Sequence, residues 1–296
     1  MSSLSYERKR KTIGVVFVLP AIILLIVFKY YPMILSIIRS FTNWSLYEPK
    51  AEFVGLKNYI RIFTDMPEFW KALMVNIRYS MITTVLQLVI GFLMAYMLFN
   101  LTKRWKEFFK VSLYLPVILP SATLGVMWTF LLSPDYGLVN TFLRSINLDF
   151  LTHAWLAEPG TALGTVIFVT LWKFSGFTMV IYYIAMLNIS GEILESAKVD
   201  GANGFRQVIH FFIPLTMNAT ETNFILTMIG GMKAFDMFYL LTGGGPGTET
   251  TVTAMLIYKH AFVSGRFDRA TAMAVVTLVI VMTMTIIGRR LLKSDD

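Results

Sequence analysis

Lys173, Glu221, Asn223 and Thr227 stand inside stretches otherwise built from Leu, Ile, Val, Phe, Met and Ala, and Gln87 and Asn218 do the same. A charged or amide side chain set among apolar residues is costly to keep from water. It is retained either to bond a neighbouring helix or to handle a polar solute. Asn218, Glu221 and Thr222 recur at helical spacing, which turns part of their stretch away from an apolar surrounding. Phe174, Tyr182, Phe224 and Phe235 add rings on which an apolar ligand face can rest. The candidate solute path is therefore Lys173, Glu221, Asn223, Thr227 and Phe235. Gln87 reads as structural, and Gly230-Gly231 as a place where helices approach closely.

Other chemistries lack their parts. No G-x-x-x-x-G-K-[ST] phosphate loop occurs; the run at Gly243–Thr248, GGGPGT, has glycines but no following lysine. The chain has no cysteine, so thiolate ligands and thiol nucleophiles are excluded. His153, His210 and His260 are too scattered for a metal site. No catalytic residue, metal or cofactor is assigned to this chain. The net charge of +8 sits in the gaps between apolar runs and forms no basic stripe, which argues against nucleic acid.

The elements that must hold these groups follow from composition. The chain is 56% hydrophobic and 15% charged, against about 25% charged in soluble domains. Six stretches approach or exceed the ~20 apolar residues that cross a bilayer: about 13–31, 73–99, 108–132, 162–187, 214–241 and 270–292. With no alternation of a barrel kind, they are expected to be helices. The first follows Arg8, Lys9, Arg10 and Lys11 with no small-residue cleavage site after it, and reads as an uncleaved span. The expected fold is an all-α polytopic membrane protein of six transmembrane helices. Arg8–Lys11, Lys103, Arg104, Lys106, Lys110, Lys198, Arg206, Arg289, Arg290 and Lys293 crowd the short segments of one side. The other side spreads its bases through longer segments and offsets them with acids such as Glu48, Glu52, Asp65 and Glu68. Both termini are expected to be cytoplasmic. Residues 1–70 form a tail, the first span and an external segment; residues 71–292 form a transmembrane core with a cytoplasmic loop at 190–213.

That loop, within SGEILESAKVDGANGFRQVIHFFIP at Ser190–Pro214, is long for a connection. Ser190 can cap a helix that Glu192 supports at its positive end. The helix should stop at Asp200-Gly201, where glycine permits a left-handed turn. A second helix should start near Asn203 and run into the fifth span, with Pro214 at its entry. Ile193, Leu194 and Ala197 share one face of the first helix.

Glu195-Ser196-Ala197, three residues, Gly201 and then Pro214 resemble the cytoplasmic signature E-A-A-x-x-x-G-x9-I-x-L-P of permeases in binding-protein-dependent ABC importers. Ser196, Phe211 and Ile213 depart from it by small-for-small or apolar-for-apolar exchange. VDGA at Val199–Ala202, FVGLKNY at Phe53–Tyr59, Leu115-Pro116, Leu119-Pro120, SPDYG at Ser133–Gly137 and LTGGGPG at Leu241–Gly247 are similar to the carbohydrate branch, the maltose- and glycerol-phosphate-type permeases. The resemblance implies the type I ABC importer fold in a bacterial cell membrane. It implies a second homologous permease subunit, two ATPase subunits that use ATP and Mg, and an external solute-binding protein. Glu195, Ser196, Ala197, Asp200, Gly201 and Pro214 then belong to the ATPase-coupling loop, and the chain is no enzyme itself. The alternative from the residues alone is an ion-coupled secondary transporter with Lys173 and Glu221 as coupling groups.

Overall fold

A computed structural model describes residues 3–47 and 50–292, apart from the side chains of residues 3–12 and of Lys198. Glu48 and Lys293, two of the charges used for orientation, lie outside the described residues. The described residues are helical, with no strand beyond one isolated Thr42–Phe53 bridge. Helix α1 (Ser3–Leu25) passes through a π turn into α2 (Tyr31–Arg39), and α3 (Lys57–Thr64) precedes the long α4 (Pro67–Asn100). Then come α5 (Lys103–Ile118), α6 (Ser121–Leu131), α7 (Leu138–Ser145) and α8 (Ala162–Leu187). The short α9 (Gly191–Val199), α10 (Gly204–Gln207) and α11 (Ile213–Leu215) lead to α12 (Met217–Met232) and α13 (Asp236–Leu241). Helices α14 (Thr253–Tyr258) and α15 (Phe267–Leu292) close the chain.

Among the described residues, four helices are long and apolar enough to cross a membrane: Ile13–Arg39, Pro67–Asn100, Ala162–Leu187 and Phe267–Leu292. The stretches at 108–132 and 214–241 are not the continuous helices expected of them. The first bends by 98° between α5 and α6. Pro120 has no amide to give and forces Leu119 out of the helical region, to ψ 135°. The second breaks at Lys233–Phe235, where Phe235 turns to φ −139°. Helix α12, with 16 residues, is only about 24 Å long, short of a ~30 Å hydrocarbon core.

The described chain forms two compact units, Met1–Pro67 with Ile257–Val276, and Glu68–Leu256 with Thr277–Asp296. In the first, α1 exposes its apolar side chains along its described length. The Asn58 amide donates to Ser40 O at 2.9 Å and Thr42 O at 2.8 Å, satisfying carbonyls at the end of α2. The Trp44 carbonyl accepts from Asp268 N at 2.8 Å while its ring packs on Phe267 at 4.6 Å, tying the 40–46 segment to the start of α15.

The second unit has two apolar centres. Tyr79, Leu124, Trp128, Val166, Phe238 and Val252 form one with their neighbours, joining α4, α6, α8 and α13. Ala95, Leu98, Met179, Tyr182, Met186 and Phe212 form the other, at the far ends of α4 and α8. Helices α5 and α8 approach so closely at Gly176 that a Cβ there would collide with the Leu113 carbonyl, whereas one on Gly164 meets no atom within 4 Å. Gly176→Ala is therefore expected to lower the unfolding midpoint in detergent micelles by about 5 °C or more, and Gly164→Ala to change it by about 1 °C or less. Tryptophan fluorescence on heating reads both.

Candidate functional site

The two helix breaks open onto one cavity of about 520 Å³ in the second unit. Helix α4 contributes Tyr79, Thr83 and Gln87, a stripe at four-residue spacing; α8 contributes Thr170, Phe174 and Phe177. Val117 and Ser121 come from the first break, Lys233–Met237 from the second, and Leu226, Thr227, Gly230 and Gly231 from α12. The Tyr79 hydroxyl donates to Thr170 Oγ at 3.0 Å, and Thr170 passes its own hydrogen to Val166 O at 2.8 Å. Thr83 and Thr227 likewise donate to backbone carbonyls, at 2.7 and 2.8 Å. With their hydrogens so used, these hydroxyls offer lone pairs to a ligand, and the Gln87 amide supplies donors. Phe174, Phe177 and Phe235 supply apolar faces.

Helix breaks free backbone groups that need partners where water is scarce. Lys173 serves the first break. It is 3% exposed, and its Nζ donates to Ser121 Oγ at 2.8 Å and to Leu119 O at 3.3 Å. The ammonium also lies 5.2 Å from the centre of the Phe174 ring. Asn76 serves the second break. Its Nδ2 donates to Gly231 O at 3.1 Å and Met232 O at 3.4 Å, at the end of α12.

Of the five residues expected on the solute path, Thr227 and Phe235 line the cavity. Lys173 lies behind its wall, engaged with the first break. Asn223 is buried and donates to Thr178 O at 3.3 Å, bonding α12 to α8. Glu221 is ion-paired with Arg289 of α15. Lys173 and Glu221 thus have separate partners and do not meet in one site. Gln87, read as structural from sequence, stands on the cavity wall. Tyr79, Thr83, Thr170 and Phe177 carry only helical i, i+3 or i, i+4 spacing as a signal in the sequence, and Ser121 only its place beside Leu119-Pro120. Asn76, near the start of the apolar run at 73–99, carries the same signal of an amide among apolar residues.

The 190–214 segment has a corner. Helix α9 ends at Val199, and Gly201 takes φ +77°. Asn203 caps α10, its Oδ1 accepting from Arg206 N at 2.9 Å. A π turn at Val208–Phe212 then leads to Pro214. Phe212 is 1% exposed and meets Tyr96 and Phe99 of α4 edge-on, with ring centres 5.1 and 5.3 Å away. Leu194 packs against the same apolar centre. Ala197 is buried in this chain, so its small side chain lets α9 lie close to its own bundle. Glu195, Ser196, Asp200 and Gly201 face outward. Ile193, expected on the inner face with Leu194 and Ala197, is 38% exposed.

Residues 87–294 match the family described as binding-protein-dependent transport system inner membrane component. The chain belongs to that family. The match takes in the cavity-lining residues from Gln87 onward and the whole cornered segment, and the chain is a multi-pass ABC permease. It is 34% identical over 287 residues to a Bacillus subtilis (strain 168) protein named Probable ABC transporter permease protein YurN, covering 97% of this chain and 98% of that one. It is 29% identical over 283 residues to the multiple sugar-binding transport system permease protein MsmF of Streptococcus mutans, covering 96% of each. A crystal structure of a bacterial alginate ABC transporter, in complex with an alginate pentasaccharide-bound periplasmic protein, contains a similar chain. That chain aligns with a TM-score of 0.82 at 25% identity over 100% of both.

Within this permease, the Lys173 contact can be measured directly. A double-mutant cycle of Lys173→Met and Ser121→Ala, read by denaturation in mixed micelles, is expected to give a coupling of about 1 kcal/mol. Additive effects would contradict the Lys173–Ser121 bond.

Proposed function

We propose that this chain is the translocating subunit of an ATP-driven importer that carries a sugar or sugar-like solute inward across a bacterial cell membrane. The observation that carries the reading is the cornered segment at 190–214. It is anchored to the bundle by Leu194 and Phe212 and turns Glu195, Ser196, Asp200 and Gly201 outward. Such an element can transmit force from a docked subunit to the helices that line the cavity. The chain carries no phosphate loop, so hydrolysis of ATP with Mg belongs to a pair of partner ATPase subunits. A second, homologous permease completes the transmembrane pathway, and an external solute-binding protein delivers the solute. Both termini lie in the cytoplasm.

The mechanism is alternating access. Closure of the ATPase pair moves the 190–214 segment, and α4 and α8 follow because Phe212 and Leu194 pack on their ends. The cavity at the two breaks then changes the side on which it opens. The cavity chemistry agrees with a polyhydroxylated solute: hydroxyl oxygens as acceptors, the Gln87 amide, and aromatic faces for the apolar side of a sugar ring. The sugar systems of relatives such as the Streptococcus mutans permease support the same class.

Gly201 gives the reading a clean test. A Cβ at Gly201 meets no atom of this chain within 4 Å. The backbone strain of a side chain at φ +77° is about 1 kcal/mol, and least for Asp and Asn. Gly201→Asp is therefore expected to insert and fold normally, yet to lose at least about 90% of ATPase-subunit association, as a new charge blocks a close contact. Co-purification of the ATPase subunits with the tagged permease measures this. Undiminished association, with full transport, contradicts the proposed role of the segment.

A further inference from the structure

We infer that Asn76 is the positioning residue of the second helix break: it sets where Lys233–Asp236 stand in the cavity wall. The inference concerns the same cavity as the transport reading and takes its functional meaning from that reading.

Asn76 is fully buried on α4 and uses both ends of its amide. Its Nδ2 donates to the Gly231 and Met232 carbonyls at 3.1 and 3.4 Å. In an unbroken helix, the amide four residues on would fill the place at Met232 O. Here the chain turns aside at Lys233, and a side chain from another helix takes that place. The Asn76 Oδ1 accepts from Thr253 N at 2.9 Å and from Thr253 Oγ at 2.8 Å. Thr253 opens α14, where backbone amides also lack partners within the helix. One short side chain thus terminates α12 and starts α14, which requires a donor and an acceptor on the same group.

The close approach this demands is built in. Gly231 lies against Ser80, one turn along α4 from Asn76. A Cβ on Gly231 would come within 2.8 Å of Ser80 Oγ and 3.0 Å of its Cα. A methyl there would push α12 away and stretch the Asn76 bonds. The residues that follow the held end are those that line the cavity: Lys233, Ala234, Phe235 and Asp236. The first break has its own holder in Lys173, so the two sides of the cavity are set by separate contacts.

That separation supplies the test. The chain has no native cysteine, so single cysteines report without a background from the permease. Ala234→Cys reports on the second break, and Val117→Cys on the first; both positions line the cavity. The probe is a cationic methanethiosulfonate reagent, applied to membranes carrying the full chain, with labelling read on this subunit by mass. Adding Asn76→Leu is expected to change the labelling rate at position 234 by about tenfold and at position 117 by less than about twofold, as expected when buried bonds at one helix end are lost. Gly231→Ala, which leaves Asn76 in place, is expected to give the same selective change and serves if Asn76→Leu fails to insert. Equal changes at both positions would show general loosening of the bundle, and no change at position 234 would show that the break holds itself. Either result overturns the inference. The labelling needs no solute, nucleotide or partner, so its failure is distinct from failure of the transport reading, which rests on Gly201→Asp.

Discussion

Hydrocarbon offers a polypeptide no hydrogen-bonding partner, and that single constraint organises the second unit of this permease. Two stretches long enough to cross a membrane are interrupted, at Leu119-Pro120 and at Lys233–Phe235. Each interruption frees backbone groups that need partners. Each is met by a buried polar side chain from a neighbouring long helix, Lys173 on α8 and Asn76 on α4. A cavity forms where the two interruptions face the uninterrupted helices. The polar atoms that make it suited to a hydroxylated ligand are then the remainder of a local accounting. Hydroxyls that have donated inward to carbonyls present their lone pairs outward.

The same two long helices connect the cavity to the cornered segment. Helix α4 carries Tyr79, Thr83 and Gln87 into the cavity and, further along, Tyr96 and Phe99 onto Phe212. Helix α8 carries Thr170, Phe174 and Phe177 into it, and Tyr182 and Met186 into the second apolar centre, where Leu194 packs. Close-packed interiors transmit displacement with little loss. A push on the outward face of α9 therefore has a short mechanical route to the cavity through side chains already in contact. This arrangement gives physical content to the family signature. Its small residue, Ala197, seats the segment on its own bundle, and its glycine makes the corner while leaving open space above it.

Much of this was legible in the sequence because it depends on local chemistry. Apolar runs implied helices, Gly201 the left-handed corner, Asn203 the start of α10, and Pro120 is enough to account for the first break. The second break was not legible. Lys233-Ala234-Phe235 contains neither proline nor glycine, and the interruption there is held by Asn76, distant in sequence. Burial of Ala197 was hidden for a related reason: a small residue on a short helix can face a partner or its own core, and only the packing of Leu194 and Phe212 decides. The polar-residue criterion found Thr227 and Phe235's neighbourhood but also selected Asn223 and Glu221. These have partners within the bundle, Thr178 and Arg289. Polarity at depth marks a group that needs a partner, and sequence does not say whether that partner is protein or solute.

The central claim is that the cornered segment is the place where an external motor grips this permease. It is tested most directly by replacing Asp200 with a photo-crosslinking amino acid in cells that express the whole transport system. After irradiation, the species joined to the permease is identified by mass spectrometry. The account predicts an adduct with the nucleotide-hydrolysing subunit. Adducts with lipid alone, or none in an otherwise active transporter, would contradict it.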